Sequence, residues 1–122
     1  YTKNNSKKTN EDFIGDPSLN KQILYVPDEQ VQSNLELNFA FAGVNLFHTY
    51  IGKRYSDTEN LSLMNPINIL DGNIYFNYKL SKYTASFKFE VNNLTNSDYQ
   101  IIAGYPAPLR NYNFKINLNY TL

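Results

Sequence analysis

The side chains that most often do chemistry are scarce in this sequence. One histidine and no cysteine stand among 122 residues, so there is no thiol nucleophile, thiolate metal site or disulfide. His48 has no second histidine or acidic ligand at useful spacing, so an interfacial side chain is a better reading than a metal ligand. No glycine-rich phosphate loop, nucleophile elbow or pair of catalytic carboxylates can be placed. No catalytic residue, metal ligand or cofactor is therefore assigned, and no enzymatic activity is expected. Loop chemistry remains. Asp57 and Glu59 stand in a long polar loop and are candidates to meet a cation or ligand, although solvated loop carboxylates are commoner. Arg110, just before the last periodic segment, is a candidate for an anionic ligand, with hydrogen bonding inside its own loop the commoner role. Asn-x-Ser/Thr sites at Asn4, Asn60, Asn93 and Asn119 are expected by chance in so asparagine-rich a chain.

Bulk composition narrows the class. Lysine plus arginine equals aspartate plus glutamate, 11 against 11, and no basic run interleaves with aromatics, so nucleic acid is not an expected partner. Tyr 11 and Phe 8 coexist with a mean hydropathy of −0.51. A soluble core is normally richer in Leu, Ile and Val, whereas a wall with one apolar and one polar face gives this mixture directly. An AT-rich genome is the bland alternative explanation for the Asn, Lys, Ile and Tyr bias. The chain starts at Tyr1 and residues 1–22 are polar, without the layout of a signal peptide. A longer protein is the expected parent, with any export signal outside this chain.

The elements that must position these residues are strands. No apolar run approaches the ~20 residues a transmembrane helix needs. From Asn111 to Leu122, Tyr112, Phe114, Ile116, Leu118, Tyr120 and Leu122 alternate with Asn113, Lys115, Asn117, Asn119 and Thr121. That period of two predicts a strand with one greasy and one wet face. Tyr83–Asn93, Leu70–Leu80 and Val31–Phe41 alternate in the same way. Val44–Tyr55 is less regular, with Val44, Leu46, His48 and Tyr50 expected outward and Phe47 and Ile51 inward. Tight turns are expected at Phe41–Val44 and Leu80–Tyr83, and long loops at Ser56–Ile69 and Asn93–Leu109. Thr2–Gln30 reads as a further loop with a strand-like piece at Lys21–Val26. If the second turn is centred on Ser81–Lys82, Lys79 falls near Thr84, Asn77 near Ser86 and Lys88 near Tyr75.

Short turns alternating with long loops and strands of ~9–11 residues are the layout of an outer-membrane barrel. The expected fold is thus all-β, an antiparallel up-and-down transmembrane barrel segment of about five strands. Five strands cannot close, and an open edge in hydrocarbon leaves backbone groups unpaired. The rest of a longer chain, or further copies, must supply the partners. Lys79, Lys88, Glu90, Glu36, Asp71 and Lys115 fall on the polar face, where charge is cheap.

Specific motifs sharpen this. Asn93, Leu94, Asn96 and Tyr99, then Gly104, Tyr105, Pro106 and Arg110, then the alternating Tyr112–Leu122, together resemble the C-terminal end of TonB-dependent outer-membrane receptors, in particular the cobalamin and ferric-siderophore branch. Tyr50–Asp57 (YIGKRYSD) and Ile69–Phe76 (ILDGNIYF) resemble the preceding strands, and the resemblance covers about Tyr25–Leu122. It implies a twenty-two-stranded barrel with a plugged lumen. Residues 1–30 would be mainly extracellular loop, residues 31–122 the last five strands and their loops, and the plug would lie outside this chain. The implied role is import of a siderophore–metal complex, a corrinoid or a similar scarce nutrient across a Gram-negative outer membrane with TonB-derived energy. The implied partners are outer-membrane lipid, the remaining barrel and plug, the TonB complex through the N-terminal part, the barrel-assembly machinery, and a small-molecule ligand at extracellular loops. Tyr105 then joins Asp57, Glu59 and Arg110 as a ligand-loop candidate.

The final strand also resembles the signal read by the assembly machinery, with Lys115, Leu118, Tyr120 and Leu122 in its places. It departs from that pattern at Asn117, where glycine is common, and at Leu122, where phenylalanine is usual. The rival readings are a small soluble lipid- or ligand-binding β-barrel, its apolar face turned inward, and an outer-membrane barrel enzyme, which would need acid and base groups clustered near one rim.

Overall fold

Alternation from Asn111 produces the strand it predicts. The computed structural model describes residues 1–120, and Asn111–Tyr120 is extended throughout. In chain order the strands are β1 (Thr2–Lys3), β2 (Glu29–Asn38), β3 (Ala42–Ile51), β4 (Arg54–Tyr55), β5 (Leu63–Met64), β6 (Ile67–Leu80), β7 (Tyr83–Asn92), β8 (Gln100–Ile102), β9 (Tyr105–Pro106) and β10 (Asn111–Tyr120). The fold is all-β, its strands paired antiparallel, with no helix among the described residues. One six-stranded sheet runs β1-β2-β3-β6-β7-β10, and β4-β5 and β8-β9 form separate hairpins. β1 and β10 stand at the two edges of the sheet, each paired on one side only. Leu122 lies outside the described residues.

Three expectations need correction. The first turn falls at Phe39–Phe41, where the Phe39 N–H donates to the Ala42 carbonyl at 2.7 Å, and not at Phe41–Val44. Phe39 and Phe41 keep the spacing of Leu35 and Leu37, so alternation runs through the reversal and hides it. Lys21–Val26 forms no strand, only an isolated bridge between Lys7 and Gln22. Asn20 and Tyr25 at φ 61° and 59° interrupt extension at both ends of that run, and the Val26 N–H turns back to the Ile23 carbonyl. The irregular strand ends at Ile51, because Arg54 and Tyr55 leave it to pair with Met64 and Leu63.

The chain divides into two units. The first comprises Tyr1–Gln32, Thr49–Asn68 and Asp98–Ala107. Buried Asp16 organises its N-terminal part, accepting hydrogen bonds from the Lys8 ammonium at 2.7 Å, from the Ser18 N–H and hydroxyl, and from the Asp12 N–H. The Lys8 ion pair, followed by the Ser18 donors, holds the Asp16 carboxyl well below the usual carboxylate range. Gln22 and Asn60 exchange hydrogen bonds between backbone and side chain, which ties residue 22 to the loop after β4.

The second unit comprises Ser33–His48, Ile69–Ser97 and the stretch from Pro108. Its β6-β7 turn is at Ser81–Lys82, with Ser81 at φ 52°, and the register pairs Lys79 with Thr84, Asn77 with Ser86 and Tyr75 with Lys88. Successive side chains on a strand point to opposite faces. Rows therefore run straight across β6, β7 and β10: Phe76-Phe87-Ile116, Ile74-Phe89-Phe114 and Leu80-Tyr83-Tyr120 on one face, and Asn77-Ser86-Asn117 and Tyr75-Lys88-Lys115 on the other.

Candidate functional site

The apolar rows make a face, not a core. Among the described hydrophobic residues only Ile67 and Ile69 are buried, while Phe76, Phe114 and Leu118 are 47%, 63% and 77% exposed. Stacking of Phe89 on Tyr112, with ring centres 6.1 Å apart, and a tilted contact of Tyr83 with Tyr120 at 5.1 Å tie the strands laterally without sheltering the rings. A water-exposed sheet of this composition would forfeit most of its hydrophobic driving force, about 25 cal/mol per Å² left uncovered. Its chemistry suits contact with an apolar medium.

The opposite face is wet and mostly hydrogen-bonded, although the buried Asn45 side-chain oxygen has no hydrogen-bond partner among the described residues. Lys88 and Lys115 sit directly across from one another, which taken alone is destabilising. Glu90 resolves the conflict, with its two carboxylate oxygens 2.7 Å from the Lys88 and 2.8 Å from the Lys115 ammonium. The Asn45 amide donates to the Asn73 side-chain oxygen at 3.1 Å, and the Tyr75 hydroxyl bonds the Asn38 side chain. Gly43 is required beneath that tyrosine, since a β-carbon there would fall on the Tyr75 ring. Gly72 serves the apolar face in the same way, because a β-carbon would meet Leu46 and Leu94 side-chain atoms at 3.1 Å.

Asn93 explains the motif that follows β7. It is 2% exposed at φ 54°, a left-handed conformation that asparagine tolerates better than most residues. Its N–H donates to the Asp71 carboxylate at 2.7 Å, and its side chain donates to the Ser97 carbonyl and accepts from the Ser97 N–H, both at 2.8 Å. Leu94 then packs over Gly72, and the Asn96 side chain accepts the Arg110 N–H at 3.0 Å. Asn93 and Asn96 thus hold the loop that leads to β10.

The ligand-loop candidates do not form one cluster. Asp57 accepts N–H bonds from Glu59 and Leu61 at 3.0 Å and from Ser62, so its carboxylate is occupied by its own loop. Those bonds, the Leu61 N–H foremost, lower its pKa below the ordinary aspartate value. Glu59 is exposed beside it, Tyr105 is an exposed residue of β9, and Arg110 belongs to the second unit. Among the described residues only the Asp57–Glu59 backbone bond joins any two of the four. Of the assembly-signal set, Lys115 is ion-paired, Leu118 is exposed, and Tyr120 packs on Tyr83.

Sequence reasoning missed Arg54. It is 3% exposed in β4, and its guanidinium donates to the Asn65 carbonyl at 3.4 Å and the Gln100 carbonyl at 2.5 Å. Burial away from water lowers its pKa. It ties the loop after β5 to the β8-β9 hairpin within the first unit. A cleft of about 410 Å³ opens between these segments, lined by Ser56, Met64, Asn65, Ile67, Asp98 and Tyr99 among others. The sequence signal at Arg54 is its place in the Tyr50–Asp57 stretch that carries the resemblance; by residue type alone it looks like any solvated cation.

No known protein-family description matches this sequence, and no curated protein matches it. Among solved structures, it is similar to BauA, the ferric preacinetobactin receptor from Acinetobacter baumannii, with 20% identity and a TM-score of 0.65 over 85% of this chain. The chain spans 16% of that receptor's length. At this identity the likeness is one of fold alone, and the fold of this chain is all-β and antiparallel.

Proposed function

We propose that this chain is a wall-and-loop segment of an outer-membrane β-barrel receptor that imports a scarce nutrient, such as a siderophore–metal complex or corrinoid. The observation that carries the proposal is the exposed aromatic and aliphatic face shared by β6, β7 and β10, backed by a polar face on β7, on β10 and on most of the Asp71–Lys79 part of β6. The likeness in fold to BauA supports it. In this reading the apolar face meets outer-membrane lipid, the polar face lines the lumen that the plug fills, and the remaining barrel strands cover the sheet edges. β10 alone presents about ten unpaired backbone groups along its open edge, and each costs several kcal/mol in hydrocarbon. A closing strand is therefore obligatory in the membrane. Energy coupling through the TonB complex, ligand capture and docking of the assembly machinery on Lys115, Leu118, Tyr120 and Leu122 belong to the whole protein. The role is transport, not catalysis. A small soluble barrel is disfavoured because its apolar face would need to enclose a cavity, and these side chains are open to the surroundings.

Spin labels placed one at a time along β10 of the intact protein test this directly. Positions 112, 114, 116 and 118 should be reached by a lipid-soluble quencher, and positions 113, 115, 117 and 119 by a water-soluble one. Lipid access at the asparagine positions would overturn the wall assignment.

A further inference from the structure

We infer that the cleft between the loop after β5 and the β8-β9 hairpin is a binding site for a small amphipathic cation, with Asp98 as its charge partner. The cleft holds about 410 Å³, within the range of pockets that enclose small organic ligands. Leu63, Met64 and Ile67 give it an apolar side. Its polar side carries groups that the protein itself does not use. Among the described residues, no hydrogen bond within the chain engages the Asp98 carboxylate, the Asn65 side-chain amide or the Tyr99 hydroxyl. This contrasts with Asp57, Asp71 and Asp16, whose carboxylates all accept bonds from their own units.

The charge of the cleft selects the ligand class. Asp98 is the one acidic residue among the lining residues, which include no basic one, so the site presents a carboxyl group beside thioether and aliphatic surface. A molecule with an ammonium head and an apolar body matches both halves, its head pairing with the Asp98 carboxylate and its body lying on the Leu63 and Met64 side. Arg54 does not line the cleft. Its cation is turned to the Asn65 and Gln100 carbonyls, and these belong to residues on the two sides of the opening. Arg54 is thus a positioning residue that sets the width of the cleft before any ligand arrives, which limits the ordering cost of binding.

The inference rests on the receptor reading only for the expectation that these hairpins face the outside medium. The test uses the intact protein carrying this chain, purified in detergent, and a matched pair of probes, phenethylamine and 3-phenylpropionate, followed by saturation-transfer difference NMR. Phenethylamine should bind saturably and 3-phenylpropionate should not. Asp98→Asn should weaken phenethylamine about tenfold, the scale of one charge-assisted hydrogen bond, while Glu11→Gln, an exposed carboxylate of the same unit outside the cleft, should leave it unchanged. Equal binding of the two probes, no saturable binding of either, or an equal loss in Glu11→Gln would overturn the site. Heat-modifiable gel mobility reports insertion separately. Normal insertion without probe binding refutes the cleft alone, and failed insertion of the unaltered protein refutes the wall reading. Loss of insertion in Asp98→Asn would show a structural role for Asp98 and also refute the site.

Discussion

Replacing Ile116 by lysine puts the assignment of faces to a quantitative test. Ile116 is the sixth of ten residues in β10, is 53% exposed, and lies opposite Phe87, with Phe76 next in the row. If that row faces lipid, a lysine near mid-strand must place its ammonium in or near the hydrocarbon centre, at a cost of ~2–4 kcal/mol. At about 1.4 kcal/mol per factor of ten, the folded-to-unfolded ratio should fall roughly 30- to 700-fold. The control is the next residue, at almost the same depth. Asn117 lies opposite Ser86 on the wet face, so Asn117→Lys adds a solvated cation and should cost less than about 1 kcal/mol, chiefly repulsion from Lys115. Equilibrium urea unfolding of the intact protein in bilayers, read by heat-modifiable gel mobility, measures both. Equal losses in the two variants, or a silent Ile116→Lys, would refute the argument that period-two alternation marks a lipid face.

Two further outcomes are expected. Gly43→Ala should destabilise by about 1–3 kcal/mol, the usual scale of overpacking, because the new methyl displaces the Tyr75 ring and with it the bond to Asn38. Combining it with Tyr75→Ala should recover most of that cost in the same unfolding assay, and simple additivity would contradict the steric explanation. The Asp57 loop should be pH-sensitive: its carboxyl pKa is depressed below 3.8 in the folded loop, so its contribution is complete above that value and is lost as pH falls through the folded pKa. NMR shifts of the Leu61 and Ser62 amides should follow this titration and cease to do so in Asp57→Asn; unchanged titration in that variant would place the effect elsewhere.

How much of this was legible depended on how local the determining physics is. Side chains on a strand alternate with a period of two whatever their partners, so β7, β10 and most of β6 could be read from Tyr83, Phe87 and Phe89 and from Tyr112, Phe114 and Ile116. The Ser81–Lys82 turn was equally readable, because a two-residue connection leaves only one register. Where apolar spacing continued through a reversal, as at Phe39 and Phe41, the pattern carried no information about the turn, and only the Phe39–Ala42 hydrogen bond decided it. Lys21–Val26 failed for a related reason, since Tyr25 is left-handed at φ 59° and its N–H donates to the distant Tyr55 carbonyl rather than to a strand partner.

Composition and periodicity by themselves determined that this chain builds antiparallel strands with one apolar and one polar face, because both properties are local to each strand. Tertiary structure alone decided which polar groups are spent on the fold and which remain free. Asp57, a loop carboxylate in the sequence, accepts three backbone N–H groups of its own loop in the structure. Asp98 was not singled out until the structure showed it unpaired beside a cleft. Arg54, 46 residues from Gln100 in sequence, became a buried tether between two loops. Such roles depend on contacts between segments far apart in the chain, and neither residue type nor spacing encodes which distant carbonyl or amide will arrive.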